Sequence, residues 1–240
     1  MTFPSVFNGN PAVDFPTVML MHLDGARGIL DYSKNRQTLT PTNASMVSTV
    51  TPKFGAQELT CASNGYVSWP TKVVSADCTK PMTVEFLVNP GTSWDSSNVG
   101  DPCAEISSVT TPANGDWVLE WYGSASYYLG LYRWDGSGTS LYYARGLGPT
   151  TIASGSWHHI FAQVNSISSF TIGVDGVCYN TGPSGPSAGT PRGAFRYLGS
   201  QDAYESAFSL TNYFQEFRIT DGIARYPATG TYKVPVRQFG

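Results

Sequence analysis

The feature that most constrains this chain is a series of short β-rich runs, each closed by a turn signal. Residues 84–88 are followed by Asn-Pro-Gly, residues 117–122 by Gly, and residues 213–220 by Asp-Gly. Strand-sized runs separated by these residue types are typical of antiparallel sheets. Since no stretch longer than one or two turns shows helical periodicity, the pattern predicts an all-β sandwich.

Two pairs of runs are predicted to form β-hairpins. Residues 127–134 and 139–145 flank the turn Asp-Gly-Ser-Gly, whereas residues 158–165 and 170–175 flank the polar linker Ser-Ile-Ser-Ser. Two β-rich runs around a short polar turn pair as neighbouring antiparallel strands.

The composition excludes several classes of protein. Charged residues make up only 13% of the 240 residues, and aromatic residues make up another 13%. A coiled coil needs more charge, and a disordered chain needs fewer aromatic residues. With 14 Lys and Arg against 17 Asp and Glu, and no basic cluster, nucleic-acid binding is not expected. No apolar run is long enough to cross a membrane, and the N-terminus has no export signal.

Four cysteines are present, at Cys61, Cys78, Cys103 and Cys178. Their spacing does not match a zinc site. An even number is also compatible with two disulfides, but without an export signal buried thiols are the expected state.

Six segments follow one another in a recognisable order. They are residues 18–25 (VMLMHLDG), 53–70 (from KFG to VSWP), 82–90 (MTVEFLVNP), 157–160 (WHHI), 174–177 (VDGV) and 214–226 (FQEFRITDGIARY). Together they resemble the LamG-like, concanavalin A-type jelly rolls over residues 18–239. The resemblance implies a two-sheet antiparallel jelly-roll sandwich whose inner faces are filled by alternate residues.

The resemblance also implies a function. The family pattern is commonest in bacteriophage virion proteins, and it occurs in secreted glycan-binding modules as well. Without an export signal, the expectation is a non-enzymatic virion structural protein, assembled in the host cytoplasm. It would serve as a capsid decoration or as a tail or adsorption component. The alternative is a soluble, lectin-like carbohydrate-binding module of a secreted bacterial protein.

The first 17 residues are predicted to form an extended arm before a jelly-roll domain at residues 18–240. Phe3, Phe7 and Phe15 alternate with prolines there and are candidate anchors for attachment to the particle. The arm either packs on its own sandwich or reaches a neighbouring subunit. Expected partners are other capsid or tail proteins and a host-surface glycan. Analogy with virion accessory proteins further suggests a homo-oligomer, with a trimer as the expected form.

No catalytic site is predicted. Glycosidases that share the fold carry a Glu-x-Asp-x-x-Glu type of motif, which this sequence lacks. Asp116 and Glu120 would lie about 13 Å apart on one face of a strand, which is too far for either geometry of glycoside hydrolysis. His158 and His159 are adjacent in a strand and therefore point to opposite faces, so they cannot share one metal ion. We expect one to pack inside with a hydrogen bond and the other to lie outside.

No cofactor is expected, with structural calcium as the open alternative. Some lectins of this fold hold calcium with loop aspartates and backbone carbonyls. The aspartates in loop-like contexts are Asp24, Asp31, Asp95, Asp101 and Asp202. For Asp24, capping of a turn by its side chain is the simpler role.

The candidate binding residues are aromatic. Trp94 lies in a polar segment, where core packing gives it less reason to be present. Tyr122, Tyr132, Trp134 and Tyr142 belong to a dense aromatic stretch, from which strand alternation sends about half of the side chains outward. These five residues are candidates to contact a glycan or a partner protein, because Tyr and Trp combine an apolar ring with a polar tip. The alternative role of the stretch is ordinary core and cross-strand packing.

Overall fold

The computed structural model describes residues 16–25, 28–69, 80–95, 100–104, 117–122, 128–134, 140–147, 149, 151–166, 169–181, 197–199 and 211–240. The strands are β1 (Thr17–Met21), β2 (Thr40–Val47), β3 (Glu58–Ser68), β4 (Met82–Pro90), β5 (Gly100–Ala104), β6 (Trp117–Tyr122), β7 (Tyr128–Trp134), β8 (Ser140–Leu147), β9 (His158–Ser166), β10 (Ser169–Val174), β11 (Val177–Thr181), β12 (Tyr197–Gly199), β13 (Asn212–Asp221) and β14 (Gly230–Thr231). The described residues therefore confirm the all-β class. They include no helix long and apolar enough to span a membrane.

The strands follow one hydrogen-bonded path in the order β14-β11-β10-β9-β4-β13-β3-β12-β5-β6-β7-β8. Strand β1 pairs with β13, and β2 pairs with β3. The pairing of β13 with β3 joins the two halves of the path, and β8 returns to lie near β10 and β11. The sheet thus folds back on itself into a two-layer jelly roll, and the two predicted sheets are continuous through this junction.

The predicted hairpins are present. Strands β7 and β8 pair with Tyr132 opposite Tyr142, and β9 and β10 pair with Ile172 opposite Ala162. Asp175 and Gly176 make the turn between β10 and β11 with φ values of 47° and 94°. These left-handed conformations suit a tight hairpin turn.

The side of the sheet that faces the sandwich interior is here called the core face. On β4 it carries the alternate residues Val84, Phe86 and Val88, all fully buried. Phe214 and Phe217 of β13 pack against Phe86, with ring centroids 5.8 Å and 6.5 Å apart. Burial of these rings contributes hydrophobic stabilisation to this layer.

A bulge at Glu216 keeps both phenylalanines on the core face. Glu216 has a φ of 53°, and the register of β13 against β4 shifts between Gln215 and Phe217. Without the extra residue, strand alternation would place Phe214 and Phe217 on opposite faces. At the same point the second neighbour of β13 changes from β3 to β1.

The opposite side of β4, β9 and β13, here called the outer face, is also buried. Glu85, Leu87 and His159 have no exposed surface, although their neighbours along the strands belong to the core face. Residues 222–240, here called the C-terminal strap, cover Glu85 and His159. Tyr226 of the strap stacks on Phe161 of β9, with ring centroids 4.2 Å apart and planes inclined by 15°.

The described part tests the predictions for the termini and cysteines only partly. Strand β1 begins at Thr17, while Phe3, Phe7 and Phe15 lie outside the described residues. Cys61 and Cys178 are buried free thiols, as predicted. Burial raises the pKa of Cys61 to about 12, so this thiol stays protonated and unreactive at neutral pH.

Candidate functional site

A cleft of about 530 Å³ lies at one end of the outer face, where the loop between β2 and β3 meets the segment before β9. The described residues of its lining are Val50, Thr51, Pro52, Asn89, Gly155, Ser156 and Trp157. The volume is within the range of small-molecule binding sites in proteins. The lining combines one indole ring with aliphatic surface, two hydroxyl groups and one side-chain amide, and none of the seven residues carries a side-chain charge.

Trp157 forms one wall of the cleft. Its side chain is half-buried, and its indole Nε1 donates a hydrogen bond to the carbonyl oxygen of Thr51 at 2.8 Å. This bond fixes the ring against the β2–β3 loop. An indole held at the edge of a cleft offers an apolar surface on which a flat, amphipathic ligand can stack.

Two buried side chains hold the facing wall, which is residues 48–57 of the β2–β3 loop. Glu58 Oε1 accepts hydrogen bonds from the amides of Thr49 and Val50 at 2.6 Å and 3.0 Å. Gln215 of β13 accepts from the amides of residues 53 and 54 and donates to the carbonyl oxygens of residues 54 and 57. Both side chains are fully buried, so buried hydrogen bonds hold this loop near both of its ends.

The segment before β9 is held in a similar way. The amide of Gly155 donates to Asn89 Oδ1 at 3.0 Å. His158 places Nδ1 2.6 Å from Asp175 Oδ2 and Nε2 2.9 Å from the carbonyl oxygen of Ala153. Burial alone would lower the pKa of His158, but the hydrogen bond and the charge of Asp175 outweigh it and raise this pKa. The protonated imidazole satisfies both acceptors at once.

A charged cluster lies elsewhere on the outer face, sealed under the strap. Arg218 Nε donates to Glu85 Oε1 at 2.8 Å, and Tyr226 donates its hydroxyl to Glu85 Oε2. His159 Nε2 lies 3.3 Å from the same carboxylate. Burial works to raise the pKa of Glu85, but the bond to His159 and the charge of Arg218 outweigh it and lower this pKa. The carboxylate is fully buried, and the hydrogen bond from Tyr226 links the strap to it.

The two histidines point to opposite faces and one is buried with hydrogen bonds, as predicted, but His158 is partly buried and does not lie outside. His159 is fully buried and hydrogen bonded to Tyr232 as well as Glu85. His158 lies on the opposite face with 14% of its side chain exposed. His158 uses both ring nitrogens on Asp175 and Ala153, so it has no free nitrogen with which to act as a base.

The expectation that Trp94 avoids the core is wrong. Its side chain is 1% exposed, its Nε1 donates to Asn212 Oδ1 at 3.0 Å, and its ring lies 6.0 Å from that of Trp121. Trp94 also forms a β-bridge with Ile152 that draws its polar segment onto the sandwich. A ring buried to this extent has no free face on which a ligand can stack.

The other predicted binding residues lie on three neighbouring strands. Tyr122 is in β6 opposite Tyr128, and Tyr132 is in β7 opposite Tyr142 of β8. Trp134 lies at the end of β7 opposite Ser140. The strands thus bring these positions into register, and their role in binding stays a prediction.

The calcium candidates have different surroundings. Asp31 is buried, and its carboxylate accepts hydrogen bonds from the amides of Leu20, Ser33 and Gln37 and from the Ser33 hydroxyl. Asp24 Oδ2 accepts from the Gln238 side chain, and its backbone carbonyl closes the turn at residues 56 and 57. Asp101 lies in β5, and Asp202 lies outside the described residues. Among the residues described, no group of three or more His, Cys, Asp or Glu side chains could hold a metal ion.

Sequence reasoning missed Asn89 and the three residues of the β2–β3 loop as site residues. Asn89 was visible only as part of a turn signal, and Trp157 only as part of a family motif. The one signal in the sequence that could have indicated the site is a tryptophan directly before a strand. Its position along the chain gives no sign that it lies near residues 50–52. Long-range strand pairing brings these segments together.

The folded-back antiparallel sandwich defines a protein of the jelly-roll class. The sequence matches the concanavalin A-like lectin/glucanases superfamily over residues 62–224, and the chain belongs to this superfamily. A search of curated proteins finds no match to this chain.

Solved structures share the fold at low sequence identity. The binding domain of Paraclostridial Mosquitocidal Protein 1 aligns with a TM-score of 0.61 and 14% identity, over 85% of this chain and 48% of its own. The receptor binding domain of botulinum neurotoxin D aligns with a TM-score of 0.58 and 12% identity, over 85% and 49%. The chain therefore spans about half the length of these toxin domains. Domain 4 of AbnA, an extracellular arabinanase from Geobacillus stearothermophilus solved with arabinotriose, aligns at 0.60 and 17%, over 86% and 92%.

Proposed function

We propose that this chain is a non-enzymatic carbohydrate-binding domain that holds a neutral oligosaccharide in the cleft beside Trp157. The observation that carries the proposal is the chemistry of the lining. A half-buried indole and two aliphatic side chains surround a few hydroxyl and amide groups, without a charge. Sugar rings offer apolar C–H faces for stacking and hydroxyl groups for hydrogen bonds, so this lining complements them.

Two further observations support the proposal. A domain of the same fold was solved with arabinotriose, so the architecture is compatible with a glycan ligand. None of the described residues that line the cleft is Asp or Glu, whereas glycoside hydrolysis uses two carboxyl groups on either side of the scissile bond. The cleft is therefore suited to binding and not to cleavage.

The test is calorimetric titration with a panel of neutral oligosaccharides, followed by Trp157→Ala. We expect the variant to bind about tenfold more weakly or worse, because truncating an aromatic anchor removes most of its contact area. Ile223→Ala is the control, since Ile223 is 41% exposed and does not line the cleft. Equal affinities of wild type and Trp157→Ala, or release of shorter sugars during incubation, would contradict the proposal.

We further propose the setting that the sequence resemblance implies: a virion structural protein, either a capsid decoration or a tail and adsorption component. Many copies on one particle would raise a weak glycan affinity through multivalency. Quantitative mass spectrometry of purified particles tests this. Hundreds of copies per particle indicate a decoration and a few copies indicate the tail, whereas absence favours the soluble carbohydrate-binding module.

A further inference from the structure

We propose that the Nδ2 amino group of Asn89 is the donor that determines which sugar the cleft accepts. The ligand then has to present an uncharged oxygen acceptor, a hydroxyl or ring oxygen, at that point. This inference rests on the proposed carbohydrate-binding function and adds to it a specificity-determining residue.

The position of Asn89 is fixed by the sheet. It lies on β4, where Val88 pairs with His158 of β9, so the register places Asn89 beside Trp157. Val88 belongs to the core face, and alternation therefore turns Asn89 to the outer face. The residue is 3% exposed and lines the cleft. Its side chain is thus nearly buried and forms part of the cleft surface.

The orientation of the amide is fixed as well. Oδ1 accepts the backbone N–H of Gly155 at 3.0 Å. The flipped amide would point its own N–H groups at that N–H and leave two donors facing each other. The acceptor side of Asn89 is therefore committed to the wall of the cleft, and the donor side is the one left for a ligand.

Within the described structure, Nδ2 has no hydrogen-bond partner in the protein. It is also not among the described polar atoms sealed from solvent without a partner, so it keeps contact with solvent. A nearly buried amide donor that loses its hydrating water is costly unless the incoming ligand provides an acceptor. Ligands with an oxygen at this point are thereby favoured over analogues that lack it.

The surroundings define what that ligand is. Val50 and Pro52 add aliphatic surface opposite Trp157, and the hydroxyls of Thr51 and Ser156 serve as secondary polar groups. The carbonyl oxygen of Thr51 is already used by the indole N–H. A neutral sugar ring meets these groups with its C–H face on the indole and a hydroxyl oxygen on Asn89.

The experiment uses the full chain and the tightest neutral oligosaccharide of the panel. Asn89→Asp is nearly isosteric and still accepts from Gly155, but it replaces the donor with an anionic acceptor. We expect affinity to fall about 10- to 100-fold, the loss typical of an unmatched polar contact. The unfolding midpoint, measured alongside, should fall because the new carboxylate is nearly buried, and binding is compared well below it. Asn43→Asp is the matched control. Asn43 is exposed on β2, with a φ of 47° that Asp also tolerates.

A second measurement leaves the protein unchanged. Single-deoxy analogues of the bound sugar are titrated against wild type, and one of them should lose affinity by a similar factor. This arm decides the matter if Asn89→Asp does not fold. The inference is overturned if Asn89→Asp binds like wild type, or if every deoxy analogue binds like the parent sugar. If no neutral glycan binds, or Trp157→Ala has no effect, the proposed function itself fails.

Discussion

Polar residues of the outer face hold distant segments by hydrogen bonds, whereas residues of the core face do so by apolar packing. On β4, Val84, Phe86 and Val88 fill the interior, while Glu85 and Asn89 alternate with them and make directed hydrogen bonds. Each polar side chain fixes a segment far away in sequence. Removing one leaves buried partners unsatisfied, and this costs more than the net worth of the bond itself.

His158 provides a pH-dependent contact at this scale. Because its pKa is raised, its contribution to stability is fully present below about pH 6.5, the ordinary imidazole value, and is lost as pH rises through the raised pKa. Burial works to raise the pKa of Asp175, but the bond to His158 outweighs it and lowers this pKa. The contribution of Asp175 is lost as pH falls through the lowered value. The pair is therefore complete between about pH 4 and pH 6.5.

We expect the difference in unfolding midpoint between wild type and His158→Gln to be largest near pH 6 and to shrink towards pH 9. Asp175→Asn is the matched variant. It keeps an acceptor for the amide of His159 and suits the positive φ of this turn, but it removes the charge. It should abolish the same pH dependence. A difference that stays constant from pH 6 to pH 9 would show that the ion pair contributes nothing.

At the scale of elements, the β2–β3 loop is a wall fixed by side chains from two strands. Glu58 and Gln215 reach it from β3 and β13, and Trp157 bonds it from the side of β9. A loop fixed in this way is ordered before a ligand arrives, so binding does not have to restrict its motion. Within β13, the bulge at Glu216 has a comparable role. It keeps Phe217 on the core face at the point where the neighbour of β13 changes from β3 to β1.

Gln215→Ala should therefore loosen one part of this loop. It removes four hydrogen bonds of a fully buried side chain, and we expect a loss of about 2–3 kcal/mol in the free energy of unfolding. Hydrogen exchange locates the effect. The amides of Lys53 and Phe54 should lose protection, whereas those of Thr49 and Val50, held by Glu58, should keep theirs. Equal loss at all four amides would mean that the loop opens as a single unit.

At the scale of the whole molecule, the C-terminal strap converts a one-sided sheet into one buried on both faces. Phe239 is 2% exposed, packs edge-on to His159 at 6.0 Å and lies under the Arg218 guanidinium. Its amide donates to Glu216 Oε2 at 2.8 Å. The strap thus ties the buried charged cluster to the bulge of β13 and covers aromatic surface that would otherwise meet water.

Phe239→Ala tests how much the strap contributes to the free energy of unfolding. We expect a loss of about 3 kcal/mol in the free energy of unfolding, because the change empties a buried aromatic site. Urea denaturation measures it. Val236→Ala, in the same segment but 70% exposed, should change stability by less than about 0.5 kcal/mol. Similar small effects of both variants would indicate that the strap is held by its backbone alone.

Local patterns in the sequence were enough to predict much of the sheet. The runs that became β4, β6, β7, β9, β10 and β13 are apolar or aromatic and end at turn residues, so their strands and hairpins follow from periodicity and turn chemistry. Strand β2, with the sequence TPTNASMV, carries no such pattern. It is held by pairing with β3, a long-range interaction that its own composition does not encode.

The sequence by itself determined the all-β class, the core face of β4 and the opposite orientations of His158 and His159, because a side-chain period of two is a local property of strands. Only the tertiary structure decided that Trp94 is buried and that the strap covers the outer face. It also decided that residues 50–52, Asn89 and Trp157 meet in one cleft. The contacts of these residues depend on which distant strands pair and on where a bulge shifts the register. Pairing and register are set by packing across the whole domain and not by the local sequence.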